Sequence, residues 1–93
     1  MRKEIWKYVL DADNKTTFNM PEKAEILTVQ SQNETACIWA LVNPLNNKEE
    51  RIFEVVATGE PFEHKATEQT YIGTFQLYYG TLVFHLFEIT AKQ

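Results

Sequence analysis

Cysteine, serine and glycine are scarce in this chain, with one, one and three copies among 93 residues. The single cysteine, Cys37, cannot form a disulfide within the chain, whereas secreted domains of this size usually carry several. Three scattered glycines do not make a phosphate-binding loop, which needs several of them at the start of a helix. Ser31 lacks the flanking glycines that expose a catalytic serine. We therefore expect a protein of the reducing cytoplasm, without these two kinds of active site.

Basic residues and long apolar runs are also lacking. Nine lysines and arginines stand against thirteen aspartates and glutamates, which gives a net charge of −4. Nucleic-acid binding needs clustered Lys and Arg, so this balance disfavours it. No segment approaches the roughly 20 apolar residues of a transmembrane helix. The basic residues at the amino terminus are followed by Glu4 and Lys7 rather than by the apolar core of a signal peptide. We expect neither nucleic acid nor a membrane as partner.

Alternation of apolar and polar residues dominates what is present. In residues 4–10, for example, Trp6, Tyr8 and Leu10 share one face of an extended strand. Seven such runs are separated by turn-forming residues: 4–10, 16–20, 24–32, 35–42, 51–58, 71–78 and 81–89. Short strands at this spacing predict an all-β fold, an antiparallel β-sandwich or a small barrel, in a single domain of residues 1–93.

Details of the strands and turns follow from particular residues. Within 24–32 we place Leu27 and Val29 on one face, opposite Ile26. Residues 35–42 are almost continuously apolar, which predicts a strand covered on both faces. Gly73 inside a strand predicts a β-bulge or a close backbone approach, and Gly80 supplies the positive φ of a tight hairpin.

The segments between strands are polar. Residues 11–15 and 33–34 predict turns, the second a two-residue hairpin turn. Residues 43–50 are the best place for one short helical turn. Residues 59–70 form the longest irregular stretch, and loops of this length are often functional or mobile.

Catalytic constellations are hard to find. Cys37 lies in the most apolar run, where a buried thiol is expected to be inert. His85 and Glu88 are three apart on a strand, so they point to opposite faces and cannot chelate one metal ion. A site of His64 with Glu60 and Glu63 remains an alternative, against a merely solvated acidic loop. We therefore expect no enzyme and no cofactor, with a small metal-dependent hydrolase using the His64 loop as an alternative.

Aromatic residues are abundant, with two Trp, four Tyr and six Phe. Twelve rings exceed what so small a core can bury, so some are expected to line an oligomer interface or a groove that stacks a flat ligand. Trp6, Trp39, Tyr71 and Tyr79 are our candidates. Arg51 with Thr58 and Gly59 could hold a phosphate through a guanidinium, a hydroxyl and backbone amides. The simpler alternative pairs Arg51 with Glu49 or a cross-strand acid on the surface, at little gain in stability.

Several segments together resemble a known family. They are 5–8 (IWKY), 20–32 (MPEKAEILTVQSQ), 37–42 (CIWALV) with Pro44, 58–62 (TGEPF), 71–74 (YIGT) and 82–88 (LVFHLFE). Over almost its full length the chain is similar to small uncharacterised proteins encoded by tailed bacteriophages and prophages. No functional residues of that family are available to transfer. The resemblance implies an accessory protein that works in the cytoplasm of a bacterial host.

These observations lead to one expected function and its alternatives. We expect a non-enzymatic binding protein that acts on a host factor or signal and is a homo-oligomer, joined through a sheet edge or an aromatic face. One alternative is a sponge that sequesters a small nucleotide signal at the aromatic and Arg51 residues. Another is an inhibitor of a host protein, whose acidic loop at residues 60–68 contacts a basic surface.

Overall fold

The protein forms seven β-strands, as described by a computed structural model for residues 2–12, 15–64 and 68–90. The strands are β1 (Glu4–Val9), β2 (Lys15–Pro21), β3 (Glu25–Gln32), β4 (Thr35–Val42), β5 (Lys48–Ala57), β6 (Gln69–Leu77) and β7 (Leu82–Ile89). Residues 13–14 of the predicted first turn and 65–67 of the predicted long loop lie outside the described residues. The prediction of an all-β fold with seven strands is confirmed.

Two antiparallel sheets build the fold. The three-stranded sheet has the order β1-β4-β3, and the four-stranded sheet has the order β2-β5-β7-β6. Each sheet turns one side toward the other, and β3 and β6 lie against each other where the sheets approach along one edge. The arrangement is a β-sandwich, which decides between the two predicted architectures.

Alternating side chains fill the space between the sheets. Phe53, Met20, Ile38 and Leu86 are completely buried there. In β1, Trp6 and Tyr8 share one face as predicted, and both pack against this core, so Trp6 faces inward and not toward an outer groove. In the central strand β4 the inward residues are buried, but on its other face only Cys37 is buried while Trp39 and Leu41 are half-buried, so the predicted cover on both faces is incomplete.

Backbone conformation at two hairpins follows the turn residues. Asn33 and Glu34 both have positive φ, 51° and 63°, the pattern of a type I′ turn, which confirms the predicted two-residue hairpin. In the β6–β7 hairpin, Gly80 has a φ of 86° as predicted. Tyr78 and Tyr79 have positive φ as well, 54° and 56°, which the sequence did not indicate.

A β-bulge in each of the edge strands β3 and β6 changes which face the following side chains occupy. One lies between Tyr71 and Gly73, as Gly73 predicted, and a Cβ on Gly73 would come within 2.9 Å of Val29 Cγ1. The other lies between Ile26 and Thr28 in β3. This second bulge adds one residue to the strand, so Leu27 is exposed while Val29 is buried. Our placement of Leu27 and Val29 on one face is therefore wrong.

The segment after β4 forms a β-turn, whereas we predicted a short helical turn there. Asn46 donates its backbone N–H to the carbonyl of Asn43 at 3.1 Å, which closes a four-residue β-turn. Strand β5 then begins at Lys48 instead of residue 51, because Lys48, Glu49 and Glu50 pair with the end of β2.

Candidate functional site

The seven predicted site residues occupy four separate places. Trp39 lies on the outward side of the three-stranded sheet, and Arg51 points between the sheets. Tyr79 is at the tip of the β6–β7 hairpin. The remaining four lie on or beside the outward side of the four-stranded sheet: Thr58, Gly59, His64 and Tyr71.

Arg51 is held in an ion pair inside the sandwich. Its Nε and Nη2 donate to the two carboxylate oxygens of Glu88 at 2.6 and 2.8 Å, and its Nη1 donates to the carbonyl of Ala24 at 2.6 Å. The Glu88 carboxylate is the main cause that raises the pKa of Arg51 above its ordinary value. The cross-strand acid that we considered is thus present, but our surface location for it is wrong: the two side chains are only 17% and 14% exposed.

Arg51 and Thr58 do not meet in a phosphate site. Thr58 directly follows β5 and is seven positions after Arg51. Because this spacing is odd, the two side chains face opposite sides of the sheet. Thr58 instead donates to the carbonyl of Val83 at 3.2 Å on the outward side. This separation was readable from the sequence, since an odd spacing on a strand always reverses the face.

A loop covers the outward side of the four-stranded sheet. The ring of Phe62 stacks on Phe87 with centroids 4.3 Å apart, and His64 Nε2 lies 2.9 Å from Glu54 Oε1. The Glu60 carboxylate accepts the backbone N–H of Ala57 at 2.6 Å. The described part of the predicted long loop is therefore anchored to the sheet by stacking and by hydrogen bonds.

Next to this loop, a chain of hydrogen bonds links the end of β5 to β7 and β6. His85 Nε2 lies 2.7 Å from Thr58 Oγ1, and His85 Nδ1 lies 2.9 Å from Thr74 Oγ1, which is 2.5 Å from Tyr71 Oη. The chain satisfies polar groups on this side of the sheet, and sequence reasoning did not include His85 and Thr74 in it.

The predicted metal ligands are separated in the described structure. His64 pairs with Glu54, a residue that the sequence analysis did not consider, and Glu60 is engaged with the backbone. Within residues 2–12, 15–64 and 68–90, no group of three or more His, Cys, Asp or Glu side chains converges as a metal site would require.

The outward side of the three-stranded sheet is different, because Ile5 and Val9 of its edge strand β1 are exposed there, beside the half-buried Trp39 and Leu41 of β4. We call this surface the open face and define it by Ile5, Val9, Trp39 and Leu41. Register places Ile5 beside Leu41 and places Val9 beside the buried Cys37. Ile5 is 61% and Val9 53% exposed. Exposed apolar residues grouped on one sheet side are typical of an interaction surface.

Polar residues border the open face on both edge strands. On β1, Lys7 lies beside Trp39 and donates to Gln32 Oε1 at 2.9 Å. On β3, Glu25 lies beside Leu41, and Leu27 at the bulge is also exposed. An apolar centre with a polar rim is the usual composition of a protein–protein interface.

Comparisons with known proteins complete the description. In the part of the chain that the structure describes, no helix is long and apolar enough to cross a membrane. Searches among curated proteins and among solved structures return no match. The model of one family, a domain of unknown function designated DUF7352, matches residues 1–93. With its whole length matched, the chain belongs to the DUF7352 family.

Proposed function

We propose that this protein is a non-enzymatic binding protein that works as a homo-oligomer, with two copies meeting at their open faces. The observation that carries the proposal is the contrast between the two sheets. The chain covers the outward side of its four-stranded sheet with Phe62 and its loop, but it leaves Ile5 and Val9 exposed on the three-stranded sheet. Burying that apolar centre against a second copy removes it from water, which is favourable.

The charges at the rim favour a second copy as the occupant. The open face is flanked by Lys3 just before β1 and by Glu25 at the start of β3, whereas the ammonium group of Lys7 reaches across β4 to Gln32 of β3. A two-fold axis parallel to β4 lays β1 of one copy over β3 of the other, because a symmetric dimer uses the same patch twice. Lys3 of each copy then lies over the edge that carries Glu25 of the other, with the apolar residues between them.

The wider role rests on the sequence. The resemblance to phage-encoded proteins supports action on a host factor or signal, and the single cysteine supports the bacterial cytoplasm as its location. The alternatives of a nucleotide sponge and a metal-dependent hydrolase receive no comparable support. The Arg51 guanidinium is bound by Glu88 and Ala24, and His64 is bound by Glu54.

Native mass spectrometry and light scattering test the proposal with one matched pair of variants. We expect the wild-type protein to show twice the mass of its 10.9 kDa chain. Val9→Lys should be monomeric, because a dimer would bury the added ammonium group. Leu82→Lys makes the same change of charge at an exposed leucine of the other sheet, and it should leave the dimer intact.

A charge exchange tests the orientation of the two copies. Lys3→Glu should weaken the dimer, and adding Glu25→Lys to the same chain should restore it, because the two charges then exchange signs. A monomeric wild type at the highest attainable concentration overturns the homo-oligomer. A dimer that survives Val9→Lys but is lost in Leu82→Lys shows that a different surface is used, and this also refutes the open face.

A further inference from the structure

We propose that the tips of the β3–β4 and β6–β7 hairpins form a second site, which binds an arginine side chain of a partner protein. The two tips enclose a cavity of ≈ 370 Å³ at one end of the sandwich. We call it the hairpin-tip site. Its main lining residues are Leu10, Glu34, Ala36, Leu77, Tyr78 and Tyr79. The site lies within one copy of the chain, so it does not depend on the open face.

The backbone at Tyr78 and Tyr79 is the first observation. Both residues have positive φ, a conformation that bulky side chains avoid and that glycine or asparagine would adopt at lower cost. Their side chains are nevertheless 61% and 92% exposed, so burial in the core does not compensate for this strain. Strained residues of this kind cluster at binding sites, where the strain fixes the position of a group. Here it holds two tyrosine rings at the rim of a cavity.

The carboxylate of Glu34 is the second observation. Its Oε2 accepts the backbone N–H of Tyr79 at 2.9 Å, which ties together two tips that are 45 residues apart in sequence. Within the described residues, no hydrogen bond or ion pair is made by its other oxygen, Oε1. The lining includes no lysine or arginine to neutralise it. A negative charge in such a place favours a cation as ligand, in keeping with the net charge of −4.

The combination of these groups selects arginine. A guanidinium plane stacks on a tyrosine ring and donates to a carboxylate at its edge, whereas an ammonium group lacks the planar surface. The methylene stem of arginine packs against apolar surface, which the exposed rings of Tyr78 and Tyr79 supply above the nearly buried Leu10, Ala36 and Leu77. A cavity of this volume is of the size that holds one side chain or a small ligand.

An NMR titration of the whole chain with N-acetyl-arginine amide tests the site. We expect saturable shifts of the backbone amides of Glu34, Tyr78 and Tyr79. The citrulline counterpart has nearly the same shape without the charge, and it should bind about tenfold more weakly. Equal binding of the two compounds, or shifts that map to another surface, overturns the proposal.

Two variants separate a binding role from a structural one. Glu34→Gln keeps an oxygen that accepts from Tyr79 and removes only the charge, so affinity for the arginine compound should fall about tenfold. Tyr79→Gly removes the ring and relieves the strain, so the unfolding midpoint should rise while binding is lost. Unchanged binding in either variant contradicts the proposal.

Matched controls lie elsewhere on the molecule. Tyr71→Ala removes an exposed tyrosine from the four-stranded sheet and should bind the arginine compound as the wild type does. Ile5→Lys, which adds a charge to the open face at the other end of β1, should also bind normally. Loss of binding in Ile5→Lys would show that the site is incomplete in one copy and would overturn its assignment to a single chain, whatever the outcome for the dimer.

Discussion

The two outward sides of this sandwich are built from similar strands but differ in how much of their apolar surface the chain itself covers. On the four-stranded sheet, Phe62 lies on Phe87, and Tyr71, which is 55% exposed, flanks the same ring at 5.5 Å. On the three-stranded sheet, Ile5 and Val9 are more than half exposed. The difference teaches where to look for a partner: the chain supplies its own cover for one side, so the uncovered apolar side is the one available to another molecule.

The largest effect is expected from breaking the ion pair that lies behind the covered side. Glu88→Ala leaves the Arg51 guanidinium between the sheets without its carboxylate partner. The loss of stability should be about 3–5 kcal/mol, because an uncompensated buried charge remains. Urea denaturation measures it, with Glu50→Ala as the control at an exposed acid. If Glu88→Ala cost no more than Glu50→Ala, the ion pair would not be part of the folded core.

Removing the cover itself should have an intermediate effect. Phe62→Ala deletes the ring that stacks on Phe87, and it should cost about 2 kcal/mol, less than a fully buried phenylalanine would. The matched change on the open face is Val9→Ala, which should cost under about 0.5 kcal/mol in a monomeric sample, because Val9 is exposed there. Similar costs for the two variants would contradict the distinction between a covered and an open side.

The smallest effect concerns the inner side of the three-stranded sheet. The Tyr8 hydroxyl is buried without a hydrogen-bond partner, and this burial raises its pKa above 10.0, with the Arg51 charge acting in the opposite direction. Tyr8→Phe removes an unsatisfied polar group, so unfolding free energy at neutral pH should rise by about 1 kcal/mol. A measured loss of stability would show that the hydroxyl has a partner.

The same variant gives a pH dependence. Above pH 10 the unfolded chain releases the Tyr8 proton while the folded chain retains it. The free energy of unfolding therefore falls as the pH rises through this range. Tyr8→Phe should therefore make the alkaline decline less steep. Because Tyr8 faces away from the open face, this variant should keep the wild-type oligomeric mass.

Much of the fold could be predicted because its strands keep a strict alternation. Trp6 and Tyr8 were placed correctly on one face, although the alternation did not show that this face is the inward one, and Gly73 indicated its bulge. The assignment failed at Leu27, because the bulge there contains no glycine or other signal, and one inserted residue reverses every face beyond it. The start of β5 was missed because Lys48, Glu49 and Glu50 are polar on both faces and show no period.

The candidate site was harder to predict because periodicity assigns a face but not a sheet. Trp39 and Tyr71 are both outward-facing aromatics, yet they lie on opposite sides of the molecule. The hairpin-tip site depends on Glu34 reaching Tyr79 between two turns that are distant in sequence. Tyr79 was singled out from its ring alone, while Glu34 and Tyr78 carried no signal without the backbone angles.

The single cysteine is a built-in probe of local opening. Cys37 is 1% exposed in the middle strand of its sheet, with Val9 on one side and Gln30 on the other. A small alkylating reagent can reach the sulfur only after those neighbours separate. The rate at which Cys37 is modified therefore reports how often the three-stranded sheet opens locally, and no introduced label is needed.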